Sequence, residues 1–202
     1  MHRYQQAQTF LSEQDPDFAK LIAEIGDCQL ILKSERDPYE ALVRAVAYQQ
    51  LSTKAGDAIL AKFKAHFGGK FPTPEQLAHA EFDALRACGF SGRKVETTKG
   101  IAQGALTGLV PTLAQAEHMC DEDLIERLVA LKGIGRWTVE MMLIFTLQRP
   151  DILPVDDFGV REGYKRLKSL TDAPTPKALA EIGLAWQPYR TVASWYLWRV
   201  PK

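Results

Sequence analysis

Residues 124–145 read LIERLVALKGIGRWTVEMMLIF, two apolar runs joined by one short turn. Ahead of the turn, Leu124, Leu128 and Leu131 fall on one stripe with Ile125 and Val129 beside it. That spacing predicts an amphipathic helix from Asp121 to Leu131. Beyond the turn, Val139, Met141, Met142, Leu143, Ile144, Phe145 and Leu147 surround the axis of a second helix, Arg136 to Leu147. Apolar all round, it is expected to be central and buried. The turn, Leu131-Lys132-Gly133-Ile134-Gly135, is too tight for side chains at both glycine positions, and both glycines permit positive φ and close backbone approach. Since the second helix starts at once, its unpaired N–H groups point outward, backed by the positive end of the helix dipole. Such a terminus suits a phosphate oxygen.

A lone G-x-G also fits a plain helix corner in which Gly serves as a stop signal. The apolar Ile134 between the glycines and Leu131 two positions ahead of them make the stretch a helix-hairpin-helix, a clamp for the DNA backbone that ignores base sequence. Helical signals continue on both sides. Between Pro38 and Phe67, Leu42, Val43, Val46, Leu51, Ile59, Leu60 and Phe63 recur mainly every three or four residues. Gln49-Gln50 and Ser52-Thr53 interrupt them, which predicts a break or a loop between two helices. Thr73-Pro74-Glu75-Gln76 reads as a helix start with a capping hydroxyl, Pro in the first turn and Gln three residues on. Glu81–Cys88 is a short helix stopped by Gly89, and Ser91-Gly92-Arg93-Lys94 opens another that runs to about Leu106. Pro150 and Pro154 bracket an irregular link before a helix carrying Val160, Tyr164 and Leu167 on one face. A last helical region contains Trp186, Trp195 and Trp198, and Asp17–Ile25 reads as helical near the start. With no strand ladder, repeat or low-complexity tract, the fold class is all-α.

The 202 residues are 46% hydrophobic and 25% charged, the composition of an ordinary globular chain. No apolar run approaches the ~18 residues that would cross a bilayer. The polar N-terminus lacks the apolar stretch of a secretory signal, so a cytoplasmic protein is expected, nucleoid-associated if bacterial. Cys28, Cys88 and Cys120 are odd in number and widely spaced. They suggest neither a zinc site nor disulfides, and helix-buried thiols are expected. Twenty-five basic and 25 acidic residues cancel, which does not favour nucleic acid. The charge is uneven, however: 161–170 carries Arg161, Lys165, Arg166 and Lys168 against Glu162. A neutral total can hide a basic face.

Taken together, four stretches resemble one family. They are Tyr39 to Ser52 (YEALVRAVAYQQLS), Cys88 to Lys94 (CGFSGRK), Gly133-Ile134-Gly135-Arg136-Trp137-Thr138, and Pro154-Val155-Asp156-Asp157 about 20 residues further on. In this order, spanning about 38–200, they resemble the helix-hairpin-helix–Gly/Pro-Asp superfamily of DNA glycosylases, and within it the alkylation-repair branch, 3-methyladenine DNA glycosylase II. The resemblance implies two helical lobes around a cleft, one at about 36–115 and the other at about 116–202 together with 1–35. It also implies a monomer that acts on double-stranded DNA containing damaged bases, without a membrane.

The family pattern of Asp, two residues and an apolar residue fits Asp157-Phe158-Gly159-Val160, so Asp157 is the implied catalytic carboxylate. Asp156 is left to cap the helix or support its neighbour. An Asp before an apolar run is also an ordinary helix cap. Lyase relatives carry a lysine two residues after the second glycine; here Trp137 stands there, which implies a monofunctional hydrolase. Trp137, Phe145 and Trp198 match positions near the base pocket and Tyr48 joins them, as aromatic faces suit a cationic purine; core packing is the alternative for each. Trp186 and Trp195 are assigned to the core. The strand would be gripped by Gly133, Gly135, Arg136, Thr138 and Lys132, by the loop Gln49-Gln50-Leu51-Ser52, and by Ser91, Gly92, Arg93 and Lys94, with Lys99 a further phosphate contact. Ser52 falls where some relatives carry a bulkier plug, and Leu51 is a substitute. The carbonyls of Val129, Leu131 and Ile134 match a site for a monovalent cation, Na or K. No catalytic cofactor is implied, and three scattered cysteines cannot supply an iron–sulfur cluster. Two other readings stay open: a non-catalytic module that binds DNA structure, and a glycosylase for deaminated or etheno purines.

Overall fold

The computed structural model describes residues 4–33 and 36–201. Among the described residues there are thirteen α-helices, one 3-10 helix and no strand, as the periodicities require. They form two compact units, one spanning Lys33–Leu147 and the other the described residues of Met1–Leu32 and Gln148–Lys202. The division falls after Leu147, not near 115 as expected from sequence. The hairpin helices belong to the first unit because the second of them packs on that unit's opening helix.

The Lys33–Leu147 unit contains α3 (Pro38–Tyr48), α4 (Thr53–His66), α5 (Pro74–His79), α6 (Phe82–Ala87), α7 (Gly92–Leu106), α8 (Leu113–Glu117), α9 (Asp121–Leu128) and α10 (Arg136–Phe145). Start signals are met locally. Thr73 Oγ1 accepts the Gln76 N–H at 3.3 Å while Gln76 Oε1 accepts that of Thr73 at 2.9 Å, the reciprocal box that satisfies two orphan donors. Ser91 Oγ accepts the Lys94 N–H and caps α7. The break foreseen at Gln49–Thr53 is real: α3 stops at Tyr48, Gln50 takes φ +57°, and Ser52 caps α4 through the Ala55 N–H at 3.3 Å. Leu42, Val43, Val46, Phe63, Leu85, Phe90 and Ile101 form the core. There Phe63 meets Phe67, Phe71 and Phe90 edge-on, with centroids 5.2, 5.6 and 5.4 Å apart, a favoured aromatic geometry.

In the other unit are α1 (Gln5–Gln14), α2 (Pro16–Ile25), α11 (Phe158–Leu167), α12 (Pro176–Ile182), a 3-10 turn (Gly183–Trp186) and α13 (Arg190–Leu197). Helix α1, which sequence reading missed, is mostly polar and buries only Ala7, Gln8 and Leu11. Trp186 and Trp195 are core residues as expected, with Phe18 edge-on to Trp186 at 5.4 Å. Lys168 Nζ reaches Asp15 at 2.7 Å and Asp17 at 2.8 Å, tying the end of α11 to the start of α2. Helices α11 and α13 cross at Gly163, where a β-carbon would stand 1.9 Å from the Leu197 carbonyl oxygen. Only glycine fits that crossing.

Two of the three thiols are buried as expected, but Cys120 is exposed. Its Sγ caps α9 by accepting the Asp123 N–H at 3.4 Å, a task that holds it at the surface where the helix begins.

Candidate nucleic-acid interface and catalytic carboxylate

Helix α10 is not buried all round. Thr138, Val139, Met142, Leu143 and Ile144 face the core, whereas Trp137, Met141 and Phe145, spaced by four, form a stripe on a groove of about 1090 Å³. Residues four apart lie one above the other on a helix, so Met141 was available from the spacing once Trp137 and Phe145 were singled out. The groove lies within the Lys33–Leu147 unit. It is also lined by Tyr48, Gln49, Gln50, Leu51, Ser91, Arg93, Lys94, Thr97 and Gly133. Trp137 is 41% exposed there and Leu51 42%. Three of the four expected pocket aromatics, Trp137, Phe145 and Tyr48, thus share one surface with the expected loop residues.

The hairpin glycines differ from each other. Gly133 has φ +88°, and a β-carbon on it would stand 2.3 Å from Thr97 Oγ1. Gly135 has φ −97° and open space around it, so positive φ is needed at only one of the two. Gly135 is the N-cap of α10, and no side chain bonds to the helix start. Gln49 Nε2 donates to the Gly133 carbonyl at 3.3 Å and to Thr138 Oγ1 at 3.5 Å, joining the α3–α4 loop to the hairpin. Thr138 was expected at the DNA surface but is only 3% exposed; its side chain turns inward to receive Gln49.

Most of the expected phosphate cations are engaged within the protein. Arg136 meets both Glu122 carboxylate oxygens, at 2.8 and 2.9 Å, and Glu140 at 3.0 Å. Hydrogen bonds from the guanidinium hold the Glu122 carboxyl below its ordinary range. Lys132 pairs with Glu96 at 3.1 Å. Lys94 Nζ donates to the carbonyls of Ala47 and Gln49 at 3.1 and 2.8 Å, closing the end of α3, and burial pulls its pKa below the ordinary lysine value. Lys99 Nζ donates to the Ala80 carbonyl at 2.7 Å. Ser52 and Ser91 spend their hydroxyls on helix caps. Among the described residues, Arg93 is the expected phosphate contact whose side chain is exposed and makes no such bond.

In the other unit, Asp157 is itself the N-cap of α11. Its Oδ1 accepts the Val160 N–H at 2.8 Å and the Trp198 indole N–H at 2.9 Å. The ordinary helix-cap reading and the functional one therefore fall on a single side chain, whose orientation is fixed from both sides. Asp156, expected to cap or support, is exposed and makes no hydrogen bond among the described residues; the cap has passed to its neighbour. Trp198 was expected to line a base pocket. Its indole N–H donates to Asp157, a contact only tertiary structure reveals, since 41 residues separate them. Gly159 lies under this pair: a β-carbon there would stand 2.9 Å from Trp198 Cδ1 and 3.1 Å from Asp157 Oδ1. Phe158, beside the carboxylate, is 76% exposed.

Residues 43–188 match the family described as HhH-GPD superfamily base excision DNA repair protein. The chain is 45% identical over 198 residues to DNA-3-methyladenine glycosylase 1 of Schizosaccharomyces pombe, covering 97% of this chain and 87% of that protein. It is 37% identical to the alkylbase DNA glycosidase-like protein mag2 of the same yeast, covering 98% of this chain and 94% of that protein. Among solved structures, S. pombe 3-methyladenine DNA glycosylase (Mag1) in complex with abasic DNA superposes with a TM-score of 0.88 at 44% identity, over 96% of this chain and 95% of that one.

Proposed function

The chain belongs to the HhH-GPD superfamily of base excision DNA repair proteins, and from that premise we propose a monofunctional DNA glycosylase that releases alkylated purines, of the 3-methyladenine and 7-methylguanine type, from duplex DNA. The observation that carries this reading is the Asp157 carboxylate, held at Oδ1 by a backbone amide and an indole in a chain matching a 3-methyladenine glycosylase over nearly its whole length.

The chemistry follows from the leaving group. The glycosidic bond is inaccessible inside the helix, so the nucleotide turns out of the stack at a cost of a few kcal/mol. An alkylated purine is already cationic and departs readily, leaving positive charge on the deoxyribose. A carboxylate at the sugar stabilises that charge and polarises the attacking water. Asp157 is assigned this role, with Trp198 holding it in place. The groove aromatics Trp137, Phe145 and Tyr48 suit a cationic base, and Leu51, exposed beside the left-handed Gln50, is the residue shaped to fill the vacated stack.

The neutral carbonyls of Val129, Leu131 and Ile134 suit a singly charged ion. Val129 is the exposed C-cap of α9, where helix carbonyls lack partners. A bound Na or K would supply charge to a phosphate at a hairpin whose own cations are already paired. Trp137, standing where lyase relatives carry lysine, leaves no amine at that position to attack the sugar, so the product is an intact abasic site.

Incubation with methylated duplex DNA should release 3-methyladenine without nicking the strand. Asp157→Asn should bind the same duplex while losing release by at least about 100-fold, a few kcal/mol of transition-state stabilisation. Unchanged release by the variant, or strand cleavage trapped by borohydride in the wild type, would defeat the assignment. DNA binding without release by wild type would favour a binding module, and release confined to deaminated or etheno purines would move the substrate class.

A further inference from the structure

Tyr48 is held at both its ring and its hydroxyl. A β-carbon on Gly56 would stand 2.1 Å from Tyr48 Cδ1 and 2.4 Å from Cε1, so the phenol ring lies directly on the glycine backbone of α4. At its far end the Tyr48 hydroxyl donates to Asp57 Oδ1 at 2.5 Å. That bond is the first cause of a phenol pKa raised above its ordinary value. The ring borders the groove while Asp57 does not. Gly56 fixes the plane of the ring and Asp57 fixes its hydroxyl, although neither residue belongs to the hairpin or to the carboxylate site.

We infer that Asp57 is a specificity-determining residue that, through Tyr48, biases the groove toward positively charged bases. Two physical effects act in the same direction. A phenol that donates to a carboxylate carries more electron density in its ring, which strengthens attraction between its face and a cation. The carboxylate also adds a negative charge next to a groove that otherwise holds Arg93 and Lys94, and Lys94 is turned onto the backbone carbonyls of Ala47 and Gln49. A neutral base gains from neither effect. Tyr48 and Asp57 thus separate alkylated, cationic purines from undamaged or deaminated ones before any bond is broken. This rests on the glycosylase reading for its consequence in repair, but the preference itself belongs to binding.

Two measurements keep the readings distinct. The first is calorimetric binding of 7-methylguanosine against guanosine at mildly acidic pH, where the alkylated nucleoside is fully cationic. Wild type should prefer the cation, and Asp57→Asn should reduce that preference about two- to fivefold, the worth of a partly exposed cation–π contact. Tyr48→Phe, which keeps the ring and the Asp57 charge but loses the hydroxyl bond, should reduce it by a smaller factor. The double variant should fall no further than Asp57→Asn alone, because that substitution already removes both effects. Asp57→Glu should restore part of the preference. The second measurement is single-turnover release of 7-methylguanine and of hypoxanthine from duplexes, in which the ratio of the two rates should fall by the same factor in Asp57→Asn. Equal binding of the two nucleosides by wild type, or an Asp57→Asn variant with an unaltered preference, overturns the inference. Preference for the cation in binding with no release of either base by wild type overturns the glycosylase reading alone.

Discussion

At the scale of single residues, the carboxylate and its indole partner form a unit. Asp157 Oδ1 receives one bond from the start of its own helix and another from Trp198. The first comes with any helix cap, whereas the second depends on the packing of α11 against α13. A hydrogen bond to a charged group contributes about 1.5–3 kcal/mol when desolvated, and this pair is only partly buried, so the lower end applies. Trp198→Phe keeps an aromatic ring, a smaller one, and removes the donor. Release of 3-methyladenine should slow about tenfold in kcat with KM nearly unchanged, because the lost bond orients the carboxylate proposed to act in the transition state. A rise in KM at constant kcat would show instead that Trp198 binds the base directly.

At the scale of the element, the hairpin shows which parts of a motif are fixed by backbone and which are left open. Gly133 lies in the left-handed region against Thr97, while Gly135 occupies extended space that any residue can enter. Gly133→Ala should destabilise the protein by about 1–3 kcal/mol and weaken duplex binding. Part of that stability should return with Thr97→Ala, since the clash is with that side chain. Gly135→Ala should shift stability by no more than about 0.5 kcal/mol. Urea unfolding of the four proteins checks this, and equal losses at the two glycines would show that the turn geometry is wrong. The motif was legible because its determinants are adjacent in sequence: two glycines, an apolar residue between them, and a helical period on each side. The inward turn of Thr138, the use of Lys94 to close α3 and the Gly163 crossing were not legible. Each depends on a partner 34 to 89 residues away, and a single helix's pattern contains no record of it.

At the scale of the whole molecule, a zero net charge goes with a hairpin whose cations Lys132 and Arg136 are already paired with Glu96, Glu122 and Glu140. Under the proposed DNA contact at the hairpin, affinity leans on backbone amides and an oriented dipole more than on surplus positive charge. Protonation affects stability in a different way, through buried neutral acids. Burial pushes the Cys28 thiol from its ordinary 9.0 up to about 11 and raises the phenols of Tyr39 and Tyr196 above their ordinary value. In each, the folded state keeps its proton longer than the unfolded chain does. Below about pH 9 both states hold these protons and the contribution to stability is complete. Above it the unfolded chain ionises first, so stability declines as pH rises, across about 9 to 11 for Cys28, with a loss on the order of 2 kcal/mol. Cys28 and Tyr196 lie in the unit built from the two ends of the chain, and Tyr39 lies in the other. Hydrogen exchange from about pH 8 to about pH 10.5, corrected for intrinsic rates, should therefore show protection falling more in α2 and α13 than in α3. Cys28→Ala, whatever it costs at neutral pH, should flatten the alkaline slope of urea stability; an unaltered slope in that variant would mean that the thiol is already solvated in the fold.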